Sequence, residues 1–107
     1  MLDYEEDNLK GFYLTEDEML ALKGSTIDLD TTMKDLVSAL LTAFVESDFN
    51  TEGIKEVIEQ RKGVPKKLAV TRVSLSLELT INTFCKDCAV GYSDLIGYLV
   101  TYYLIED

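Results

Sequence analysis

Residues 72–88, RVSLSLELTINTFCKDC, carry two competing hydrophobic periods, and the choice between them constrains the whole fold. In steps of two, apolar and polar residues alternate from Val73 to Ile81, which is typical of a strand with one buried face. In steps of three and four, the segment has the apolar stripe of an amphipathic helix. The members of that stripe are Leu77, Ile81, Phe84, Cys85 and Cys88.

The two periods predict two different C-terminal halves. The helical period predicts a strand that ends near residues 75–77, a helix over about 77–88, a short turn and a helix over about 93–105. The period of two predicts a strand over residues 72–81 in a sheet with one open face. The polar face of that longer strand consists of Arg72, Ser74, Ser76, Glu78 and Thr80.

Under either period the chain is predicted to be an α+β protein, mostly helical, with about four helices and one main strand. Its 107 residues fit a single domain, with an acidic helical part at 1–62 and a strand followed by a helical part at 63–107. The first helix is predicted to begin at Thr15, because Glu18 completes a capping box, and to end at Gly24.

Two further helices are predicted before the strand. One begins at Met33, where apolar residues recur at three and four, with Asp30 or Thr31 as its cap. The other covers residues 51–62, with Asn50 as its cap and a glycine as its stop. No internal repeat is evident from the sequence.

The predicted strand needs a partner, because every residue of a strand offers a backbone donor and a backbone acceptor. The sequence leaves three partners open: a strand near residues 9–14, a strand near 25–29, or the same strand of a second subunit. The segment from Tyr92 to Ile105 is apolar on more than one side, which favours a homodimer.

Net charge is −10 and is unevenly distributed. Residues 1–59 carry −11, residues 60–77 carry +5 and residues 78–107 carry −4. We therefore expect a small non-enzymatic regulatory protein, an inhibitor or adaptor, whose acidic part binds a basic protein partner. The acidic side chains assigned to that contact are Glu5, Glu6, Asp7, Glu16, Asp17 and Glu18.

The composition of the chain argues against several kinds of chemistry. The chain has no histidine, the usual general base and zinc ligand, and we expect no metal, no cofactor and no catalysis. Cys85 and Cys88 form one C-x-x-C, interpreted as two small core residues rather than a redox pair. No run is long enough to span a bilayer and the N-terminus is acidic, so we expect a cytoplasmic protein without membrane contact.

Residues 66–107, in their strand–helix–helix order, resemble the ribbon-helix-helix family of dimeric DNA-binding regulators. The resemblance implies a second possible function, transcriptional regulation, with DNA bound through residues 61–76. It implies that Val73, Leu75 and Leu77 face a dimer core. The implied DNA-contacting residues are the basic pair Lys66 and Lys67, the base readers Arg72, Ser74 and Ser76, and the helix cap Ser93.

Overall fold

Two antiparallel strands form a ribbon that rests on a layer of helices. The structure is a computed structural model that describes residues 7–105. The elements are β1 (Asp7–Thr15), α1 (Glu16–Asp28), α2 (Met33–Glu46), α3 (Ile54–Arg61), β2 (Lys66–Ser74), α4 (Leu75–Cys88) and α5 (Tyr92–Val100), which continues into a π-helical turn (Thr101–Ile105). The mostly helical α+β class is confirmed, with five described α-helices instead of about four.

The strand–helix–helix order occurs twice, and the two copies are offset by 59 residues. The first unit is β1–α1–α2 and the second is β2–α4–α5. The prediction of no internal repeat is therefore wrong. The clearest trace of the repeat in the sequence is short: DLVSALLT at 35–42 and DLIGYLVT at 94–101 are identical at four of eight positions.

The ribbon is symmetric about its central pair. β1 and β2 pair from Asp7↔Ser74 to Thr15↔Lys66, and Gly11 pairs with Val70, its own equivalent 59 residues later. The strand near 9–14 is thus the confirmed partner, whereas residues 25–29 end a helix. Because β1 meets the backbone requirement of β2 within one chain, a second subunit is not needed for this pairing.

The helical period prevails after Ser74, and the predicted strand over 72–81 is wrong. Ser74 Oγ accepts a hydrogen bond from the backbone N–H of Leu77 at 3.4 Å and so caps α4. Thr15 plays the same part for α1, where the predicted capping box with Glu18 is confirmed. A helix satisfies its own backbone groups once the ribbon ends, and it buries Ile81 on its apolar face.

The core lies between α2 and α5, whose buried residues occupy equivalent positions. The matched pairs are Leu36 and Leu95, Val37 and Ile96, Leu40 and Leu99, and Leu41 and Val100. In addition, α2 contacts β2 and α5 contacts β1, so each second helix packs on the strand of the other unit. The two units therefore build one shared core rather than two separate ones.

Three predicted helix ends are wrong, each for a local reason. α1 continues past Gly24 to Asp28, because one glycine costs a helix only about 1 kcal/mol. α2 is capped by Thr32, whose Oγ1 accepts from Asp35 N at 3.1 Å. α3 begins after Gly53, which has a φ of 83°, instead of after Asn50.

The connector between the units, residues 47–65, is fastened by one buried arginine. Arg61, at the end of α3, is 3% exposed, and its Nε donates to Glu18 Oε2 at 2.9 Å. Its other two nitrogens reach the Asp94 carboxylate and the backbone carbonyl of Tyr13. Arg61 thereby joins β1, α1 and α5, and Gly97 leaves room for it: a Cβ there would lie 2.4 Å from Arg61 Nε.

Replacing Gly97 by alanine should destabilise the protein. The added methyl group must displace the Arg61 guanidinium from its carboxylates, and overpacking of this kind costs about 1–3 kcal/mol. Gly24→Ala is the matched control, since nothing lies within 4 Å of its Cβ and alanine is the better helix former. Urea unfolding measures both, and equal stability of the two variants would contradict the close packing of Arg61.

Removing Arg61 alone should cost more than removing the whole buried ion pair. Arg61→Ala leaves the Glu18 carboxylate buried and unpaired, a change worth about 3–5 kcal/mol. Glu18→Leu combined with Arg61→Met should recover most of that loss, because the residue equivalent to Glu18 in the second unit is Leu77. Denaturant midpoints compare the two, and a double variant no more stable than Arg61→Ala would refute this explanation.

Candidate functional site

The side of the ribbon turned away from the helices is the most distinctive surface of the protein. Side chains alternate along each strand, so Phe12, Leu14 and Val73 point inward and are at most 1% exposed. We call the opposite side the outer face. It consists of Leu9, Gly11 and Tyr13 from β1 and of Leu68, Val70 and Arg72 from β2.

The outer face is apolar and continuous. Leu9, Tyr13, Leu68 and Val70 are 64%, 52%, 55% and 52% exposed. Tyr13 lies directly opposite Leu68, and a Cβ on Gly11 would be 3.1 Å from Leu68 Cδ1, so Leu68 leans over the glycine. Isolated exposed leucines are ordinary, whereas neighbouring exposed apolar residues make this face a candidate interaction surface.

The ribbon and the helices differ in charge. The two strands carry four Lys or Arg residues and one Asp, a net charge of +3. The remaining described residues carry fourteen acids and six bases, a net charge of −8. The charge of the strands is not the charge of the outer face, because Lys10 and Lys67 belong to the side of the ribbon that faces the helices and Arg72 has Asp7 beside it.

Arg72, the predicted first base reader, does lie on the outer face, but it has an acidic neighbour. Its Nη1 is 3.2 Å from Asp7 Oδ1, and the other oxygen of Asp7 accepts from Lys34 Nζ at 3.0 Å. The hydrogen bond from Lys34 is the main cause that lowers the pKa of Asp7 below its usual value. Asp7 thus stays ionised and offsets part of the Arg72 charge near neutral pH.

The two predicted DNA-contacting lysines differ in availability. Lys66 Nζ donates to the backbone carbonyls of Arg61 at 2.7 Å and Val64 at 3.0 Å, which holds it against the turn before β2. Lys67 is exposed on the strand. Only Lys67 and Arg72 among the predicted basic contacts therefore present exposed charge on the ribbon.

Of the three serines assigned to DNA, only Ser74 lies on the strand, as its last residue, and its side chain is engaged by the following helix. Ser74 is the cap of α4, and Ser76 lies in the first turn of that helix instead of on the strand. Ser93 does not cap α5, a position held by Gly91. Instead, Ser93 Oγ accepts a hydrogen bond from the backbone N–H of Tyr13 at 2.9 Å, which satisfies one backbone donor on the open edge of β1.

The three apolar residues predicted to face a dimer core also lie in different elements. Val73 does point inward, at 1% exposed, and packs in the core of its own chain. Leu75 and Leu77 belong to the first turn of α4, because the strand ends at Ser74, and both are only half-buried.

The predicted acidic contact residues also fall into different environments. Glu18 is buried against Arg61 and accepts from the backbone N–H of Thr15 at 2.9 Å, so it is not available to a partner. Glu16 and Asp17 are exposed beside an open groove of about 580 Å³ between α1 and α3. Asp7 is engaged on the ribbon, while Glu5 and Glu6 lie outside the described residues.

Residues 7–105 contain no group of three or more Cys, Asp or Glu side chains placed to hold a metal ion. Cys85 and Cys88 lie in the last turn of α4, whereas an activated thiolate of the redox type is favoured at a helix N-terminus. Burial raises the pKa of the Cys85 thiol, and Cys88 is exposed, so only Cys85 fits the core interpretation.

Within the described range, no single helix has the length and apolar character needed to cross a bilayer. Only α4 and α5 taken together pass that test, with a bend of 104° between them.

Comparisons with protein-family models, with curated proteins and with solved structures find no match for this chain.

The sequence offered a strand near residues 9–14 as one of three possible partners of β2 but did not select it, so the β1 half of the outer face was not predicted. Two signals were present. Both strands end in a hydroxyl residue that caps the next helix, Thr15 and Ser74. The Asp-Leu dipeptides that begin at Asp35 and Asp94 also follow those two caps by the same number of residues. Aligning the dipeptides therefore aligns β1 with β2.

The two cysteines should differ in their reaction with iodoacetamide. Cys88 should be alkylated rapidly at pH 8, while Cys85 should react at least 10-fold more slowly, because burial disfavours its thiolate. Mass spectrometry of the time course assigns each site, with the denatured protein as the control. Rapid alkylation of Cys85 in the folded protein would contradict its packing.

Proposed function

We propose that this protein is a non-enzymatic binding module that docks a protein partner on the outer face of its ribbon. The observation that carries the proposal is the connected patch of Leu9, Tyr13, Leu68 and Val70, exposed at the centre of the ribbon. Burying such a patch provides about 25 cal/mol per Å² of apolar surface. The expected biological role remains that of an inhibitor or an adaptor.

The scaffold of the proposal is a single-chain counterpart of the ribbon-helix-helix arrangement. In that family two subunits each supply one strand and two helices. Two observations support the counterpart here: the order occurs twice at an offset of 59 residues, and the strands pair about their equivalent central residues. The module would then have its two-fold arrangement within one chain.

The chemistry of the outer face favours protein over DNA as the ligand. Direct reading of bases requires hydrogen-bond donors and acceptors at the groove edges, and Leu9, Leu68 and Val70 offer none. Asp7 beside Arg72 adds a repulsive charge toward phosphate. The sequence predicted a basic partner because the helical part of the chain is acidic. The apolar surface lies instead on the ribbon, whose two strands carry a net charge of +3, so the acidic helices do not define the proposed partner.

Sequence-selective DNA binding is the second candidate, and two observations favour it. The strands carry a net charge of +3 against −8 for the remaining described residues, and Arg72 stands on the outer face of a duplicated strand–helix–helix scaffold. In this candidate Lys67 and Arg72 make the phosphate and base contacts.

Photo-crosslinking from the ribbon tests the proposal. A benzophenone amino acid at Val70 should join the protein to specific partners in a cell extract, and the same group at Leu79, an exposed position on α4, should not. Leu68→Ser with Val70→Ser should reduce recovery of those partners at least 10-fold. Leu20→Ser with Leu79→Ser is the matched control, since both leucines are exposed helix residues.

The same variants separate the two candidates. Retention of random duplex DNA at about 50 mM salt, lost on Arg72→Ala, would favour DNA and contradict the protein-binding proposal. Equal recovery of partners by the ribbon variant and the control would also contradict it.

A further inference from the structure

The free edge of β2 is a second open surface of the ribbon. In an antiparallel pair, alternate residues direct both backbone groups toward the other strand, and the residues between them direct both groups away from it. Tyr13 is of the second kind, because its N–H donates to Ser93 Oγ at 2.9 Å and its carbonyl accepts from Arg61. Leu68 lies opposite Tyr13, so its backbone groups point away from β1 and toward the free edge of β2.

This edge is open along three residues. Residues two apart on a strand direct their backbone groups to the same side, so Val70 and Arg72 share the direction of Leu68. No hydrogen bond within residues 7–105 uses the backbone N–H or C=O groups of these three residues at the free edge. Backbone groups that are shut off from water are almost always paired, so unpaired groups of this kind reach water. The free edge of β2 is therefore available to a further strand.

The free edge of β1 offers less to an added strand. Both backbone groups of Tyr13 are already engaged, which leaves Leu9 and Gly11. Gly11 has no side chain to pack against a neighbouring strand, whereas Val70 opposite it is a β-branched residue that is 52% exposed. An added strand is therefore expected on β2.

A second copy of the chain fits this edge less well than a strand from another protein. An added strand lies beside the side chains on both sides of the sheet, so Lys67 counts although it belongs to the side of the helices. Antiparallel pairing of two copies about Val70 would put Val73 of the second copy opposite Lys67. It would also put Arg72 of the second copy diagonal to Lys66, a contact between like charges. β2 contains no acid that could pair with either lysine, and two chains of net charge −10 repel each other.

We infer that the partner adds a strand to the free edge of β2, antiparallel to it; this inference rests on the proposed function. Main-chain hydrogen bonds to the edge are available to an extended segment and not to a helix, whose own backbone groups are paired internally. Side chains of the added strand that lie on the side of the outer face pack beside Leu68 and Val70, which are both more than half exposed.

The register of such a strand defines a sequence pattern in the partner. The residue opposite Val70 and the residue two positions later, opposite Leu68, lie on the side of the outer face and should be apolar. The next residue lies opposite Lys67, which is exposed and forms no ion pair within residues 7–105. That residue should be acidic. The expected segment is therefore apolar, any residue, apolar, acidic.

Three short peptides with the central sequence Val-Thr-Val-Glu test the inference. One is unmodified. The second is N-methylated at both valines, whose N–H groups would donate to β2, and the third at threonine and glutamate, whose N–H groups would point away. In NMR titrations the third peptide should bind like the unmodified one, and the second at least 10-fold more weakly. Binding should slow hydrogen exchange at the amides of Leu68 and Val70 but not at those of Leu9 and Gly11.

Two substitutions at Val70 test the edge from the side of the protein. Val70→Pro removes the N–H that an added strand would bind, and it leaves the pairing with β1 in place because that N–H points away from β1. Val70→Ala is the matched control, since it also loses the valine side chain but keeps the N–H. The proline variant should bind the unmodified peptide at least 10-fold more weakly than the alanine variant. Thermal unfolding checks that both variants stay folded.

The acidic position is tested by charge. A peptide with Gln in place of Glu should bind more weakly at about 50 mM salt, and Lys67→Gln should abolish the difference between the two peptides. Lys23→Gln, at an exposed lysine on α1, should leave the difference unchanged.

Equal binding of the two methylated peptides, or no binding of the unmodified peptide at about 1 mM, would overturn the inference. A dimer in solution with protected amides at Leu68 and Val70 would also overturn it, because a second copy would then occupy the edge. The proposed function is judged separately. It stands if crosslinking from Val70 finds partners that Leu68→Ser with Val70→Ser loses, and it falls if crosslinking finds none.

Discussion

The pairing of β1 with β2 is the interaction on which the rest of the structure depends. Neither strand can satisfy its backbone alone, and the register that joins them brings Gly11 opposite Val70, its equivalent in the other unit. That register fixes where both strands end, at Thr15 and Ser74, and each of these residues then caps the helix that follows. A shift by one residue would send Phe12 and Leu14 to solvent and the outer leucines into the core.

The helices reinforce this pairing because they are exchanged between the units. α2 packs on β2 and α5 packs on β1, so the apolar face of each helix is buried only when both strands are in place. The connector adds an asymmetric constraint, since Arg61 joins β1, α1 and α5 through buried polar contacts. The net contribution of such contacts to stability is small for their number, because burying the charges offsets much of their attraction.

The surface proposed to bind a partner follows from the same geometry. A two-stranded ribbon covered by helices on one side leaves its other side open, and here that side presents leucine, valine and tyrosine instead of the polar residues that suit DNA reading. The same scaffold can in principle serve either ligand, and the side chains of the outer face decide between them.

The sequence by itself determined the local elements with the strongest signals. The capping box at Thr15 and Glu18 and the apolar face of α2 were sufficient, because caps and helical periodicity act over a few residues. The positive segment at residues 60–77, which contains β2, was also visible in the sequence. Tertiary structure decided the rest: whether residues 75–81 are strand or helix, which segment pairs with β2, and which face of the ribbon is open. Those questions depend on contacts between residues 51 to 67 apart in the sequence, and alternation within one segment carries no information about a partner that distant.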